Sequence, residues 1–158
     1  MPVKAIIIGI GATIIFDLWG QLLKVLFKIN PSDICILGRW VLYMTGGKFT
    51  HQNILKVQTK QYECAAGWAF HYLTGISLSL LFIFIVGYKW LSAPEVLPAL
   101  VYGIVTVIAP LFIMQPAFGF GFAGSKTPIP AQTRLRSLMN HTAFGIGLYA
   151  AAVLLNLF

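Results

Sequence analysis

The chain has 158 residues, of which 58% are hydrophobic and only 9% are charged. Soluble domains carry about 25% charged residues, so this composition excludes an ordinary soluble protein and indicates an integral membrane protein. The formal net charge of +7 does not indicate a nucleic-acid partner, because the basic residues lie between apolar segments, where they orient a membrane protein. We therefore expect one transmembrane domain, residues 1–158, with the lipid bilayer as its partner and no nucleic acid.

The first apolar segment, roughly residues 5–27, predicts a transmembrane helix that carries one carboxylate. No small-residue cleavage site follows it closely, so we interpret it as a retained span and not as a signal peptide. Asp17 lies about 10 Å along this helix from Lys24 and is therefore well inside the bilayer. A charged side chain at the bilayer centre costs roughly 3 kcal/mol on insertion scales, so Asp17 requires a partner or a functional reason.

A long connection, residues 29–63, follows the first span and contains a short apolar segment at 32–44. The Pro-Ser-Asp sequence at 31–33 is typical of a helix start, and the apolar segment after it is too short to cross a bilayer. It predicts an interfacial or re-entrant helix. Arg39, in its middle, is either an interfacial anchor or a contact to lipid phosphate.

Five other side chains lie in or beside the connections between apolar segments. Arg134 and Arg136 allow the same two interpretations as the arginine of the short helix. His51 lies in a polar stretch and is expected to be solvated. Cys35 and Cys64 belong to or border the first connection, and we expect them to be reduced thiols if that connection is cytoplasmic.

The second apolar segment, residues 64–88, has 25 residues without a charge. That length is enough to cross a hydrocarbon core of about 30 Å. Gly67, His71, Gly75 and Ser79 follow one another at intervals of four and so lie along one face of the helix. The small residues allow another helix to approach closely, whereas an imidazole inside a membrane requires a reason.

The third apolar segment predicts a regular helix over residues 96–114, followed by a broken or re-entrant end. No charge occurs between 96 and 125, but Pro110 and Pro116 each predict a kink. Irregular backbone at membrane depth is tolerated only against protein or a wet cavity, so Gln115 is a candidate residue of a cavity wall.

The last apolar segment, residues 137–158, is free of charge and predicts the fourth span. His141 and Gly145 lie four apart on one face of this helix, as His71 and Gly75 do in the second span. The shared pattern indicates a faint internal repeat of two helical hairpins. The predicted fold is an all-α integral membrane protein, a four-helix transmembrane bundle with an interfacial or re-entrant helix in its first loop.

The basic residues also predict the orientation of the bundle. The first connection with its borders carries six, the third carries three, and the remaining two lie on the opposite side. The positive-inside rule therefore places the first and third connections in the cytoplasm and both termini in the periplasm. The nine on the cytoplasmic side are Lys24, Lys28, Arg39, Lys48, Lys56, Lys60, Lys126, Arg134 and Arg136, and the two opposite are Lys4 and Lys89.

Four polar side chains on four different spans are predicted at similar depth in the inner leaflet: Asp17, His71, Gln115 and His141. Lipid offers them no partner, so a four-helix bundle would turn them toward its axis. One interpretation is interhelical hydrogen bonding, and a second is a site for a small ligand, a proton or an ion. A third is a metal site formed by the aspartate and the two histidines, or a haem held by the two histidines. We expect the two histidines to converge in one pocket.

Several short motifs occur in a fixed order along the chain: Gly38-Arg39-Trp40, Gly67 to His71 and Tyr72, Ala109-Pro110, Met114 to Ala117, and Leu135 to Ser137 with His141, Phe144 and Gly145. Together they resemble a family of small bacterial inner-membrane proteins catalogued only as a domain of unknown function. The resemblance extends from Gly9 to Tyr149. It implies a bacterial cytoplasmic membrane and four spans, and it brings no activity, substrate or catalytic residue.

The function predicted from these features is non-enzymatic, namely a polar inner-leaflet pocket for a small ligand, proton or ion. A transport role would require the chain to form a homo-oligomer, which the glycine-bearing faces of the second and fourth spans could support. The first alternative is a structural or partner-binding membrane protein without a ligand. The second is a membrane protein that binds a metal or haem, although no particular cofactor is indicated by the sequence.

Overall fold

The structure, a computed structural model, describes residues 2–157; its regular secondary structure is entirely helical, with no β-strand among those residues. The all-α prediction is thus confirmed. Short 3₁₀ turns occur in the connections, and one helix has a π-helical segment. The principal helices are α1 (Pro2–Phe27), α2 (Ile34–Met44), α3 (Glu63–Val86), α4 (Val96–Phe118) and α5 (Pro130–Leu155).

Four of these helices are long and apolar enough to cross a membrane, namely α1, α3, α4 and α5. They contain 23 to 26 residues each, which at 1.5 Å per residue gives lengths of about 34 to 39 Å. Large apolar side chains such as Leu18, Phe84 and Leu97 are exposed on these helices. Exposed apolar surface of this extent is typical of a surface that contacts lipid or another protein.

Helix α2 begins where the sequence predicted a helix start. The Asp33 side chain caps it by accepting a hydrogen bond from the backbone N–H of Cys35 at 2.8 Å. Such a cap satisfies one of the amide groups that the first helical turn leaves unpaired. With 11 residues, α2 is too short to span a bilayer.

Helix α4 continues further than the prediction of an ordered helix to residue 114. Regular α-helix runs from Val96 to Thr106, a π-helical segment covers Pro110–Met114, and a final turn covers Gln115–Phe118. The wider π-helical turn takes up the disturbance expected at Pro110, whose ring cannot donate a hydrogen bond and crowds the preceding turn. The helix ends at Gly119, whose φ of 84° is left-handed and favours glycine.

The chain divides into two compact units, which are described separately. Within the described residues, the first unit comprises 2–31, 72–106 and 139–157, and the second comprises 32–71 and 107–138. Helices α3, α4 and α5 each contribute residues to both units.

The first unit is held together by close helix contacts at small residues. A Cβ atom built on Gly9 of α1 would lie only 2.7 Å from the Cα of Ile76 in α3. The Ser79 hydroxyl, in the small-residue stripe predicted on α3, donates to the carbonyl oxygen of Ala5 at 2.8 Å. A Cβ on Gly103 of α4 would lie 2.5 Å from the Cα of Gly145 in α5. The small residues therefore do allow the close approach that the sequence predicted.

The second unit is built around Trp40 of α2, which is almost fully buried. Its indole N–H donates to the carbonyl oxygen of Phe49 at 2.7 Å, and its ring packs edge-on against Phe118. The backbone N–H of His51 donates to the carbonyl oxygen of Ala117 at 2.8 Å. These contacts fix the part of the first connection around His51. The prediction that His51 is solvated is wrong, because only 6% of this residue is exposed.

Candidate functional site

The first turns of α2 and α3 are joined by a disulfide bond between Cys35 and Cys64. The expectation of reduced thiols, which followed from a cytoplasmic first connection, is thus wrong for the structure. Sequence spacing could not reveal the pairing, since the two cysteines are 29 residues apart and no CxxC motif is present.

Two glycines, each three residues after one of the cysteines, bring the backbones of α2 and α3 together. A Cβ on Gly38 would overlap the carbonyl oxygen of Glu63, and a Cβ on Gly67 would overlap the carbonyl oxygen of Ile34. No side chain larger than hydrogen fits at either position without a shift of backbone. The glycines therefore set the distance at which the cysteines meet.

A buried ion pair lies beside this contact. The Nε and Nη2 atoms of Arg39 donate to the two carboxylate oxygens of Glu63, both at 2.8 Å, and the side chains are only 10% and 11% exposed. Nη1 of Arg39 also donates to the carbonyl oxygen of Ile54 at 3.1 Å. The hydrogen bond to the Glu63 carboxylate raises the pKa of Arg39 above its ordinary value. The structure thus gives Arg39 an internal partner in place of the predicted interfacial or lipid-phosphate contact.

In the first unit, Asp17 of α1 has a hydroxyl partner. The Tyr72 hydroxyl donates to Oδ2 of Asp17 at 3.3 Å. A phenol O–H can stabilise a carboxylate in apolar surroundings by donating a hydrogen bond to it. Tyr72 was not among the predicted site residues, because sequence spacing does not show which side chain reaches Asp17.

His141 of α5 lies in the same unit and also has a hydroxyl neighbour. Its Nδ1 atom lies 2.8 Å from Oγ1 of Thr106 in α4, a hydrogen bond whose donor depends on the imidazole tautomer. The ring of Phe16 packs edge-on against the imidazole with 5.8 Å between centroids. Phe16 directly precedes Asp17 in α1. His141 therefore packs against the part of α1 that carries Asp17.

Two buried polar atoms of the first unit have no hydrogen-bond partner within residues 2–157: Oδ1 of Asn140 and Nε1 of Trp19. Asn140 is only 3% exposed and directly precedes His141 in α5. An unpaired buried acceptor is unfavourable unless a water, an ion or a ligand satisfies it. Asn140 was not among the predicted site residues, although an asparagine inside a span is a detectable signal.

The other two predicted pocket residues, His71 and Gln115, belong to the second unit. The His71 ring packs against Trp68, one turn earlier in α3, at 6.0 Å between centroids. Gln115 is buried, and its Oε1 atom has no hydrogen-bond partner among the described residues. The structure thus brings Asp17 and His141 into one unit, and the convergence of His71 with His141 stays a prediction.

The second unit also contains a half-open, largely polar cavity of about 550 Å³. Burial, and secondly the positive charge of Lys48, lower the pKa of His51 in its wall. This imidazole is therefore neutral at physiological pH, and neither ring nitrogen has a hydrogen-bond partner within residues 2–157. The cavity is lined by Lys48, His51, Gln52, Asn53, Lys56 and Val57.

The remaining predicted site residues, Arg134 and Arg136, lie near the start of α5. Nε of Arg134 donates to the carbonyl oxygen of Ala123 at 2.9 Å, and Arg136 is half-buried in α5.

Within the described part of the chain, no three His, Cys, Asp or Glu side chains are grouped closely enough to hold a metal ion. The metal interpretation of Asp17, His71 and His141 therefore gains no support from the structure.

These features define a class: an all-helical protein with four helices able to cross a membrane and with ionisable groups inside them. The chain belongs to the family described as "Protein of unknown function (DUF2938)", whose profile matches residues 6–155. The predicted resemblance to a family of unknown function is thus confirmed over nearly the whole chain. No curated protein and no solved structure matches this chain.

Proposed function

We propose that this protein is a multi-pass protein of a bacterial inner membrane that binds a proton, a small cation or another small polar ligand among the polar groups of its first unit. The ionisable members are Asp17 and His141, each with a hydroxyl neighbour, and Asn140 supplies a buried acceptor. The observation that carries the proposal is the unpaired Oδ1 of Asn140 beside His141. Buried polar atoms in native proteins nearly always have a partner, so this atom calls for a water, an ion or a ligand.

The chemistry of these groups suits proton or cation binding better than anion binding. A carboxylate and an amide oxygen attract positive charge, and an imidazole can give or take a proton near neutral pH. Hydroxyl groups such as those of Tyr72 and Thr106 can act as donor or acceptor and so connect successive sites. Ionisable residues inside spans generally face protein or water and mark pathways for ions or protons.

The proposed test is proton flux into liposomes that contain the purified full-length protein, driven by a potassium diffusion potential and followed by a pH-sensitive dye. Wild-type protein should carry protons, and Asp17→Asn and His141→Phe should both reduce the flux to that of empty liposomes. Glu95→Gln is the matched control, because it also turns an acid into an amide but at an exposed position. Wild-type flux no greater than that of empty liposomes would overturn proton transport as the role of this site.

The same assay tests the predicted convergence of the two histidines. If His71 shares the site, His71→Phe should abolish the flux as completely as His141→Phe does, in a protein that still inserts and folds. Phenylalanine keeps the bulk of the ring and removes its polar atoms. Full flux in His71→Phe would remove His71 from the site and leave the first unit as the functional part.

For orientation, we propose that both termini are periplasmic and that the first and third connections are cytoplasmic, since nine of the eleven basic residues then face the cytoplasm. A test is Thr59→Cys, an exposed position of the first connection, in a chain whose native cysteines are replaced by serine. A membrane-impermeant maleimide should label this cysteine only after the inner membrane is permeabilised. Labelling in cells with an intact inner membrane would reverse the orientation.

A further inference from the structure

The residues of the Cys35–Cys64 disulfide differ in exposure. Cys64 is exposed and Cys35 is half-buried. Exposed disulfides are generally the labile, regulatory or catalytic ones, whereas structural disulfides resist reduction. An attacking thiolate would therefore reach the sulfur of Cys64 first, and Cys35 would be the leaving group.

Both cysteines occupy the second position of a helix, Cys35 in α2 and Cys64 in α3. The N-terminal turn of a helix stabilises a thiolate through its unpaired N–H groups and dipole. A stabilised thiolate is a better leaving group in thiol–disulfide exchange. This position therefore favours opening of the bond, and it adds to the effect of exposure.

The first turns of α2 and α3 are also joined by contacts other than the disulfide. Gly38 and Gly67 bring the two backbones into contact, and the Arg39–Glu63 ion pair crosses the same contact. After reduction these interactions keep the two thiols adjacent. The disulfide can therefore close again without a search for its partner, as a reversible redox pair requires.

The charge distribution adds an argument about compartment, which rests on the orientation given under Proposed function. The basic residues place the first connection, and with it the disulfide, at the cytoplasmic face. Disulfides in a reducing compartment are usually catalytic or redox-sensing and not structural. The charge distribution indicates a reducing compartment for the first connection, yet the same connection carries a disulfide. The two observations are compatible if the disulfide is reversible.

We propose that Cys35 and Cys64 form a redox-active pair that exchanges with low-molecular-weight thiols of the glutathione class. In the first step the thiolate of one such molecule attacks the sulfur of Cys64, the protein disulfide breaks, and Cys35 leaves as a thiolate that takes up a proton. A second thiolate then attacks the mixed disulfide at its small-molecule sulfur and releases Cys64 as a thiolate, which is also protonated. Two thiols become one small-molecule disulfide, and the protein gains two electrons and two protons.

The test uses purified full-length protein equilibrated in buffers that contain reduced and oxidised glutathione in varied ratio. Free thiols are trapped with a maleimide of high mass, so that reduced and oxidised protein separate on a gel. We expect a reversible transition between the two forms, with the same midpoint from either direction. Protein that stays oxidised in fully reduced glutathione, or that fails to close again in oxidised glutathione, would overturn the proposal.

Single-cysteine variants test which sulfur reacts. With oxidised glutathione, Cys35→Ser, which retains the exposed Cys64, should form the mixed disulfide several-fold faster than Cys64→Ser, which retains the half-buried Cys35. The opposite order would contradict the assigned direction of attack. Failure of the redox proposal and failure of the proposed orientation can be told apart. Labelling of Thr59→Cys from the periplasm would refute the cytoplasmic placement of the first connection, but it would leave the result of the glutathione titration unaffected.

Discussion

Replacing Arg39 by methionine is expected to destabilise the second unit by about 3 to 5 kcal/mol, because it leaves the Glu63 carboxylate buried without its partner. Both carboxylate oxygens accept hydrogen bonds from Arg39 in a setting only about one tenth exposed to solvent. Methionine keeps the length and apolar stem of the side chain and removes the charge and all its donors. The measurement is equilibrium unfolding of the full chain in detergent.

The control is the double variant Arg39→Met with Glu63→Leu, in which neither charge remains. It should recover most of the stability, because a buried ion pair and a well-packed apolar pair of similar volume are often close in free energy. If Arg39→Met alone unfolds with the wild-type free energy, Glu63 finds solvent or another partner and the ion pair is not important for stability. If the double variant is as unstable as the single one, lost packing and lost hydrogen bonds to the backbone are responsible, and the unpaired charge is not.

Gly38→Ala is expected to destabilise the contact between α2 and α3 by about 3 kcal/mol or more, the upper end of the cost of overpacking. The added Cβ would overlap the carbonyl oxygen of Glu63, and a backbone atom cannot move aside as the end of a flexible side chain can. The helices would have to separate, which weakens the Arg39–Glu63 pair as well. Thermal unfolding of the purified protein, with and without reduction of the disulfide, measures the effect.

Gly46→Ala is the matched control for this substitution. A Cβ on Gly46 would meet its nearest neighbour, the carbonyl oxygen of Tyr43, at 3.6 Å, which is ordinary van der Waals contact. It should change the stability by less than about 1 kcal/mol. Equal unfolding midpoints for the two alanine variants would show that the close approach of α2 and α3 does not contribute to stability.

The helices and the family could be predicted because their signals are local. The length of an uninterrupted apolar segment can be counted directly from the sequence. The start of α2 is likewise indicated by three consecutive residues that end at Asp33. The small-residue stripe on α3 was likewise visible from spacing, and Ser79 lies on it. Features of this kind need no knowledge of what the segment contacts.

The site was only partly predictable because its pairs are distant in sequence. Asp17 and Tyr72 are 55 residues apart, and Thr106 and His141 are 35 apart. The predicted depth of a polar side chain within an apolar span indicates that it needs a partner. Depth does not indicate which faces of two helices are in contact. The burial of His51 was missed for the same reason, since the contacts that cover it come from residues after 110 as well as from its own connection.

The π-helical segment of α4 also bears on how this sequence could change in evolution. A π-helical turn accommodates one residue more than the α-helix around it, so such a segment is what a single-residue insertion into a helix leaves behind. Loss of one residue from Pro110–Met114 could therefore restore a regular helix with little rotation of the turn that follows it, whereas loss of one residue from the regular α-helix before it would rotate that turn by about 100°. Gln115 would then keep its buried position, and the final turn before Gly119 would present the same face. The π-helical segment is therefore the place where the length of α4 can change by one residue at the least structural cost.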